Sequence, residues 1–286
     1  MDQKLKQAAI ELYDRFTHDD LDRRVFMTRM VALAGSVAAA EALIGAIAAS
    51  PAAAAIVPPD DPRLTTRTQD LVGGYKAYVA EPRTRSLKAT VLVIHENRGL
   101  NDHIRDVARR LGVAGFRAVA PDFLSPAGGT PANEDAARDA IGKLDLGKSV
   151  SDAVAMLDEL AKSSRGGKVG AVGFCWGGGF VNRLAVAAGD KLDAGVSYYG
   201  PAPDPSEATK VQAPLELHLA GIDDRVNSTG FPWVTALRQA GKTVKFFLYD
   251  GANHAFNKDR SGERYNKAAA DLAWKRTLAF FKQHLA

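Results

Sequence analysis

A chain of 286 residues has room for one or two domains, and its mix of apolar and charged residues is that of an ordinary globular protein. A net charge of +4, with no long Lys/Arg cluster, excludes a nucleic-acid-binding stripe. The single cysteine, Cys175, excludes an internal disulfide framework and any C-x-x-C redox or zinc motif.

Residues 1–20 are charged and helical in pattern. Asp22-Arg-Arg-Val-Phe-Met-Thr28 follows, then an alanine-rich stretch that runs to the small residues Ala53-Ala-Ala55. An arginine pair ahead of a modestly apolar run and a small-residue terminus resembles a twin-arginine export signal. The resemblance implies the twin-arginine export machinery as a partner, a periplasmic destination and loss of the segment up to Ala55. Two departures keep the alternative open, a helical arm retained on a cytoplasmic enzyme. Arg23 lies far from the N-terminus, and Glu41 interrupts the apolar run. Glu41 also argues against a stable membrane anchor, because a carboxylate near the bilayer centre costs ~2.5–3.5 kcal/mol. Ile56-Val-Pro-Pro-Asp-Asp-Pro-Arg63 reads as a linker, since its prolines continue neither helix nor sheet. The chain thus divides into a leader or arm with its linker, 1–60, and a catalytic-sized domain, 61–286.

No internal repeat is present, and apolar strand-like and helix-like segments alternate through the domain. Tyr75–Ala80 alternates as an edge strand does, and Ala89–Ile94 is a continuous run suited to burial on both faces. Ile104, Val107, Ala108 and Leu111 repeat at helical spacing. Phe116–Ala120 is a strand stopped by Pro121-Asp122, and 133–144 and 150–161 are helical. Val169–Phe174 is a strand that runs into Cys175 and a helix. Strands follow at 194–199, 215–219 and 244–248, with a helix through Val234–Gln239. A final helix runs from about Glu263 to His284, with Trp274, Leu278, Phe281 and Leu285 as its covering stripe. This alternation with short connections predicts an α/β fold, a mostly parallel sheet with helices on both faces. Ligands in such sheets bind at the carboxyl ends of the strands.

Gly173-Phe-Cys175-Trp-Gly177 has the spacing of a nucleophile elbow, with sulfur where serine oxygen is usual. A strand reversing sharply into a helix crowds the backbone, and glycine relieves the crowding. The nucleophile then stands at a helix N-terminus, whose partial positive charge favours a thiolate. Two later strand ends carry Gly221-Ile-Asp-Asp-Arg-Val-Asn227 and Asp250-Gly-Ala-Asn-His-Ala-Phe256. Nucleophile, acid and histidine in that order are the α/β-hydrolase order. His254 supplies the base, and Asp223 or Asp224 orients it. Val226, three residues after Asp223, is expected to be buried and to fix the register, which favours Asp223. The strand 89–94 ends in His95-Glu96-Asn97-Arg98-Gly99, which brings Glu96 to the same rim as Cys175. In the hydrolase fold this loop and the residue after the nucleophile donate the oxyanion-hole N–H groups, here Asn97 and Trp176. His18, His103, His218 and His284 read as background. No metal or other cofactor is called for.

Gly173-Phe-Cys-Trp-Gly-Gly178, Ile94-His-Glu-Asn-Arg-Gly-Leu100, Pro121-Asp122, Tyr199-Gly200, Asp223 and His254-Ala-Phe256 together resemble the dienelactone hydrolases. The resemblance covers Leu64 to the C-terminus. It implies a metal-independent α/β-hydrolase that opens small lactones or enol esters with a Cys-His-Asp triad through a thioester. It further implies that Glu96 contacts the cysteine and governs its thiolate state. The family's carboxylate-binding arginine, four residues after the histidine, is matched by Lys258, which keeps the charge and loses the bidentate fork. A second such arginine has no position that aligns, Arg138 being a guess. A thiol redox sensor and a periplasmic small-ligand-binding protein on the same fold remain the alternatives.

Overall fold

Runs such as Thr90–Ile94 (β3) and Val169–Phe174 (β5) carry no polar alternation, so both faces of the sheet they form must be covered by other elements. Every residue of both is buried. The computed structural model describes residues 3–18, 21–48, 56–84, 89–164, 167–259 and 261–286. Among them, eight strands form one sheet in the order β1-β2-β4-β3-β5-β6-β7-β8. The others are Leu64–Leu71 (β1), Tyr75–Pro82 (β2), Arg117–Asp122 (β4), Ala194–Tyr198 (β6), Leu215–Ile222 (β7) and Val244–Asn253 (β8). β1, β2 and β4 pair antiparallel, and every pairing from β4 through β3 to β8 is parallel. The mostly parallel sheet read from the sequence is therefore the sheet observed.

Helices Leu146–Ser163 (α6), Trp176–Ala187 (α7) and Asp224–Gln239 (α8) cover one face, burying Met156, Leu157, Phe180 and Trp233 against it. Asp102–Val113 (α4) and Lys267–Leu285 (α9) cover the other through Ile104, Leu111, Phe280 and Phe281. A short helix, Glu134–Gly142 (α5), stands above the strand ends, capped by Asn133.

Four boundaries differ from the sequence reading. Tyr75–Ala80 is not an edge strand, because β1, a polar segment with its middle residues largely exposed, pairs outside it. β4 continues through Pro121-Asp122, since Pro121 needs no N–H bond where the strand ends. α8 begins at Asp224 and not near Val234; it accommodates Pro232 in its interior. α9 begins at Lys267, capped by Asn266, after a separate helical turn at Gly262–Arg264. Its most buried side chains are Ala273, Thr277, Phe280, Phe281 and Leu285, with Trp274 and Leu278 on the flank.

The N-terminal segment forms three helices, Gln3–His18 (α1), Arg23–Ala34 (α2) and Val37–Ala48 (α3). Asp22 caps α2, accepting from the N–H groups of Arg24 and Val25, and Gly35 ends it at φ 82°. The three helices share an apolar core of their own around Ile10, Phe16, Phe26, Met30 and Ile47. The linker is pinned to the domain. Val57 donates its N–H to Asp106 at 2.8 Å, and its carbonyl accepts from Arg109 Nε at 2.6 Å. No single helix among the described residues is long and apolar enough to cross a membrane. α2 and α3 reach that length only together, across a bend of 104°. Ala53–Ala55, the small-residue end of the export-like segment, lie outside the described residues.

Candidate active site

Cys175 stands between β5 and α7 with φ 56° and ψ −115°, a left-handed conformation that costs a β-carbon-bearing residue of order 1–3 kcal/mol. The glycines around it make the turn possible. A Cβ on Gly173 would lie 2.0 Å from the carbonyl oxygen of Gly177. One on Gly200 would lie 2.1 Å from the backbone of Gly178. Strand β5, helix α7 and the segment after β6 therefore approach more closely than any side chain permits. Cys175 donates its N–H to Tyr198 at 3.0 Å, and its side chain is largely buried. The other non-glycine residues with positive φ among the described ones are Tyr199 and Ala255, at 37° and 64°. Tyr199 packs on the ring of His254, and Ala255 follows it, so the strain is collected in one place.

His254 follows β8 and is buried. Its Nδ1 lies 2.6 Å from Asp223 Oδ2, and Cys175 lines the same small space beside the ring. Burial opposes a charge on the ring. The Asp223 carboxylate and the Cys175 sulfur outweigh it and push the His254 pKa up to about 10. Asp223 is likewise buried, which works against its ionised form, but the His254 charge holds its pKa below the usual carboxylate value. The structure brings Asp223, not Asp224, to the histidine. Asp223 is the N-cap of α8 and accepts from Val226 N–H at 3.2 Å, whereas Asp224 is the exposed first residue of the helix.

Glu96 is buried on the same rim. Burial alone would raise its pKa, but Lys258, at 2.9 Å from Oε2, together with His103 and Arg264, lowers it to about 2. Lys258 is thus an ion-pair partner of Glu96. His95 lies beneath. It accepts from Phe123 N–H at Nε2, which leaves Nδ1 to donate to the Glu96 carbonyl. Its ring stacks on Trp176 with centroids 5.4 Å apart. Trp176 is the first residue of α7, where backbone N–H groups have no partner within the helix, and Asn97 lines the same space. Arg138 lines the same cleft as Cys175, bonded to Asp139 and set over the ring of Phe16.

Cys175 opens on two spaces. One, of about 30 Å³, is lined by Glu96, His254, Lys258, Arg264 and Tyr13; the other is a cleft of about 690 Å³ bounded by Trp176, Pro201, Arg225 and Phe16. Several of these residues went unread in the sequence. His103, set aside as background, pairs with Asp259 at 3.2 Å and adds to the positive field on Glu96. Arg264 lies in the separate turn ahead of α9 and not in the final helix. Tyr13 and Phe16 lie in the leader-like segment, and nothing in their local pattern marks them as site residues. Among the described residues no cluster of three or more His, Cys, Asp or Glu is arranged to hold a metal ion.

The sequence profile of the dienelactone hydrolase family matches residues 75–285. A provisionally named carboxymethylenebutenolidase of Escherichia coli O157:H7 is 33% identical over 257 residues, covering 83% of this chain and 94% of that protein. One of Saccharolobus solfataricus is 32% identical over 252 residues, covering 73% and 93%. The crystal structure of a provisionally named dienelactone hydrolase from Klebsiella pneumoniae superposes with a TM-score of 0.69. It is 26% identical and covers 77% of this chain and 99% of that one. The fold is that of the α/β-hydrolases.

Proposed function

Because this chain belongs to the dienelactone hydrolase family and is a carboxylic ester hydrolase of the carboxymethylenebutenolidase kind, we propose that it opens small lactones or esters with Cys175 as nucleophile, His254 as acid and base, and Asp223 as orienter. The observation that carries this reading is the position of one buried histidine, which lines the same small space as the elbow cysteine and is hydrogen-bonded at 2.6 Å to a buried carboxylate.

The Cys175 thiolate attacks the carbonyl carbon, a C–S bond forms, and the carbonyl π electrons move onto oxygen. The backbone N–H groups of Trp176 and Asn97 receive that oxyanion; donors of this kind are worth ~2.7–4 kcal/mol each. Collapse breaks the C–O bond, and the leaving oxygen takes the proton from His254. His254 then removes a proton from water, which attacks the thioester and expels the thiolate. Asp223 holds the ring in the required tautomer and balances its charge throughout. Lys258, held against Glu96, offers a point charge to an anionic substrate group. Glu96, ionised and 3% exposed, is paired with Lys258 at the rim and lines the same small space as Cys175.

Turnover of p-nitrophenyl acetate and a panel of small lactones by wild type and Cys175→Ala tests the reading. Steady turnover by wild type and none by Cys175→Ala is the expected result. Undiminished turnover by Cys175→Ala would overturn it. One equivalent of acetyl group bound without turnover would favour the non-catalytic thiol alternative.

A further inference from the structure

Helices α1 and α2 lie against the strand ends that carry the catalytic groups. Gln7 donates to Asn253, the residue before His254, at 3.0 Å. Lys6 pairs with Glu263, and Arg23 with Asp135 at 3.1 Å. The Arg264 guanidinium sits 5.1 Å from the Tyr13 ring centroid, and that of Arg138 sits 4.6 Å from Phe16. Inside the helical unit, Phe16 stacks on Phe26 at 4.2 Å, and Tyr13 meets Phe26 edge-on at 6.2 Å. Tyr13 and Phe16 are both buried, held between their own core and arginines of the domain. Aromatic side chains fixed in this way have little freedom to yield to a ligand.

The same two residues border the two spaces over Cys175. Tyr13 bounds the small one, which has room for little more than a water or two. Phe16 and Arg23 bound the cleft. The family profile begins at residue 75, so this wall lies outside what the chain shares with that profile.

We infer that Tyr13, Phe16 and Arg23 form the second wall of the substrate site and determine which acyl groups Cys175 accepts. Tyr13 closes the His254 side to anything larger than the attacking water and a small substituent. Bulk on the acyl group is directed along the cleft, between Phe16 and Trp176, and its length is limited there. The inference rests on the reading of Cys175 as the nucleophile.

Full-length wild type, Tyr13→Ala, Phe16→Ala and Cys175→Ala are compared on p-nitrophenyl acetate, octanoate and 2-methylpropanoate. Phe16→Ala is expected to raise the octanoate-to-acetate ratio of kcat/KM at least tenfold. Tyr13→Ala should raise the ratio for the branched ester by a similar factor, and Tyr13→Phe, which keeps the ring, should keep the narrow profile. A second measurement covers an arm that detaches when its aromatics are cut: the rate at which a bulky dansyl-type iodoacetamide labels Cys175, divided by that of iodoacetamide itself. This ratio should rise in both alanine variants, whether the wall is trimmed or displaced. Unchanged ester and labelling ratios in both variants, with Cys175→Ala inactive, would overturn the wall and leave the nucleophile standing. Turnover surviving Cys175→Ala would instead remove the reading on which the wall depends.

Discussion

Nδ1 of His254 lies 2.6 Å from one carboxylate oxygen of Asp223, and the other oxygen of that carboxylate accepts the N–H of Val226. A single side chain therefore closes the first turn of α8 and orients the histidine. The position is specific, because a residue one place further along is already on the exposed face of the helix.

Asp223→Asn separates the two roles. Asparagine caps a helix about as well as aspartate, so the fold should persist. The amide favours the wrong imidazole tautomer, and kcat should fall by orders of magnitude, up to ~10⁴-fold as in serine triads. Asp224→Asn should cost tenfold or less, about 1 kcal/mol. Measuring kcat for both, with circular dichroism as a folding check, tests this; a dead Asp224→Asn beside a live Asp223→Asn contradicts it.

The raised pKa of His254 gives a pH signature. Below an unfolded value of about 6.5 the ring is charged in both states, so its pairing with Asp223 contributes fully to stability. That contribution fades as pH climbs through about 10, where the folded ring loses its proton. The rate should share this alkaline limb, since the leaving oxygen takes its proton from the imidazolium. Asp223→Asn should move the limb to lower pH. An NMR titration of His254 with a midpoint near 6.5 in wild type would contradict the assignment.

Glu96 and Lys258 form a buried pair, and breaking one partner exposes the cost. Lys258→Ala leaves the buried carboxylate to His103 and Arg264 alone and should destabilise the fold by at most roughly 3–5 kcal/mol. Adding Glu96→Gln should return much of that loss, which thermal or urea unfolding of the double variant would reveal. For Glu96 the pKa is depressed, to about 2, so its stabilisation is full above about 4.5 and disappears as pH falls through 2. A higher KM for carboxylate-bearing lactones than for neutral esters in the double variant would separate substrate binding by Lys258 from its pairing. Equal effects would assign Lys258 to structure alone.

Export by the twin-arginine route, read from Arg23-Arg24 and the alanine-rich run that follows, predicts a periplasmic protein that begins near Ala55 and has lost Tyr13, Phe16 and Arg23; it is the alternative to the retained arm on which the substrate wall rests. Intact-mass measurement on protein from periplasmic and cytoplasmic fractions of the native host distinguishes the outcomes. A full-length chain confined to the cytoplasm would refute export.

The residues that could be read from the sequence are those under local backbone constraint. Gly173, Gly177 and Gly178 are required by the turn at Cys175 whatever lies elsewhere. The aspartate register could be read because Val226 is fully buried and sits three residues from its cap. What escaped depends on contacts between distant positions. The pairing of Lys258 with Glu96 escaped because the two residues are far apart in sequence. β1 escaped because an edge strand with exposed middle residues reads as polar loop. The first half of α8 escaped because Gly230 and Pro232 look like breaks. The strongest case is α1, whose Gln7 meets Asn253 across 246 positions while its own pattern is that of any amphipathic leader.

Two of the ties between the helical arm and the domain, Lys6–Glu263 and Arg23–Asp135, reach into solvent. Dissolved ions screen such pairs, with the Debye length shrinking from ~8 Å at 0.15 M to ~3 Å at 1 M. The aromatic contacts behind them are shielded from that effect. Added salt should therefore weaken these two exposed ties by about 1 kcal/mol or less each and leave the aromatic anchoring of the arm in place.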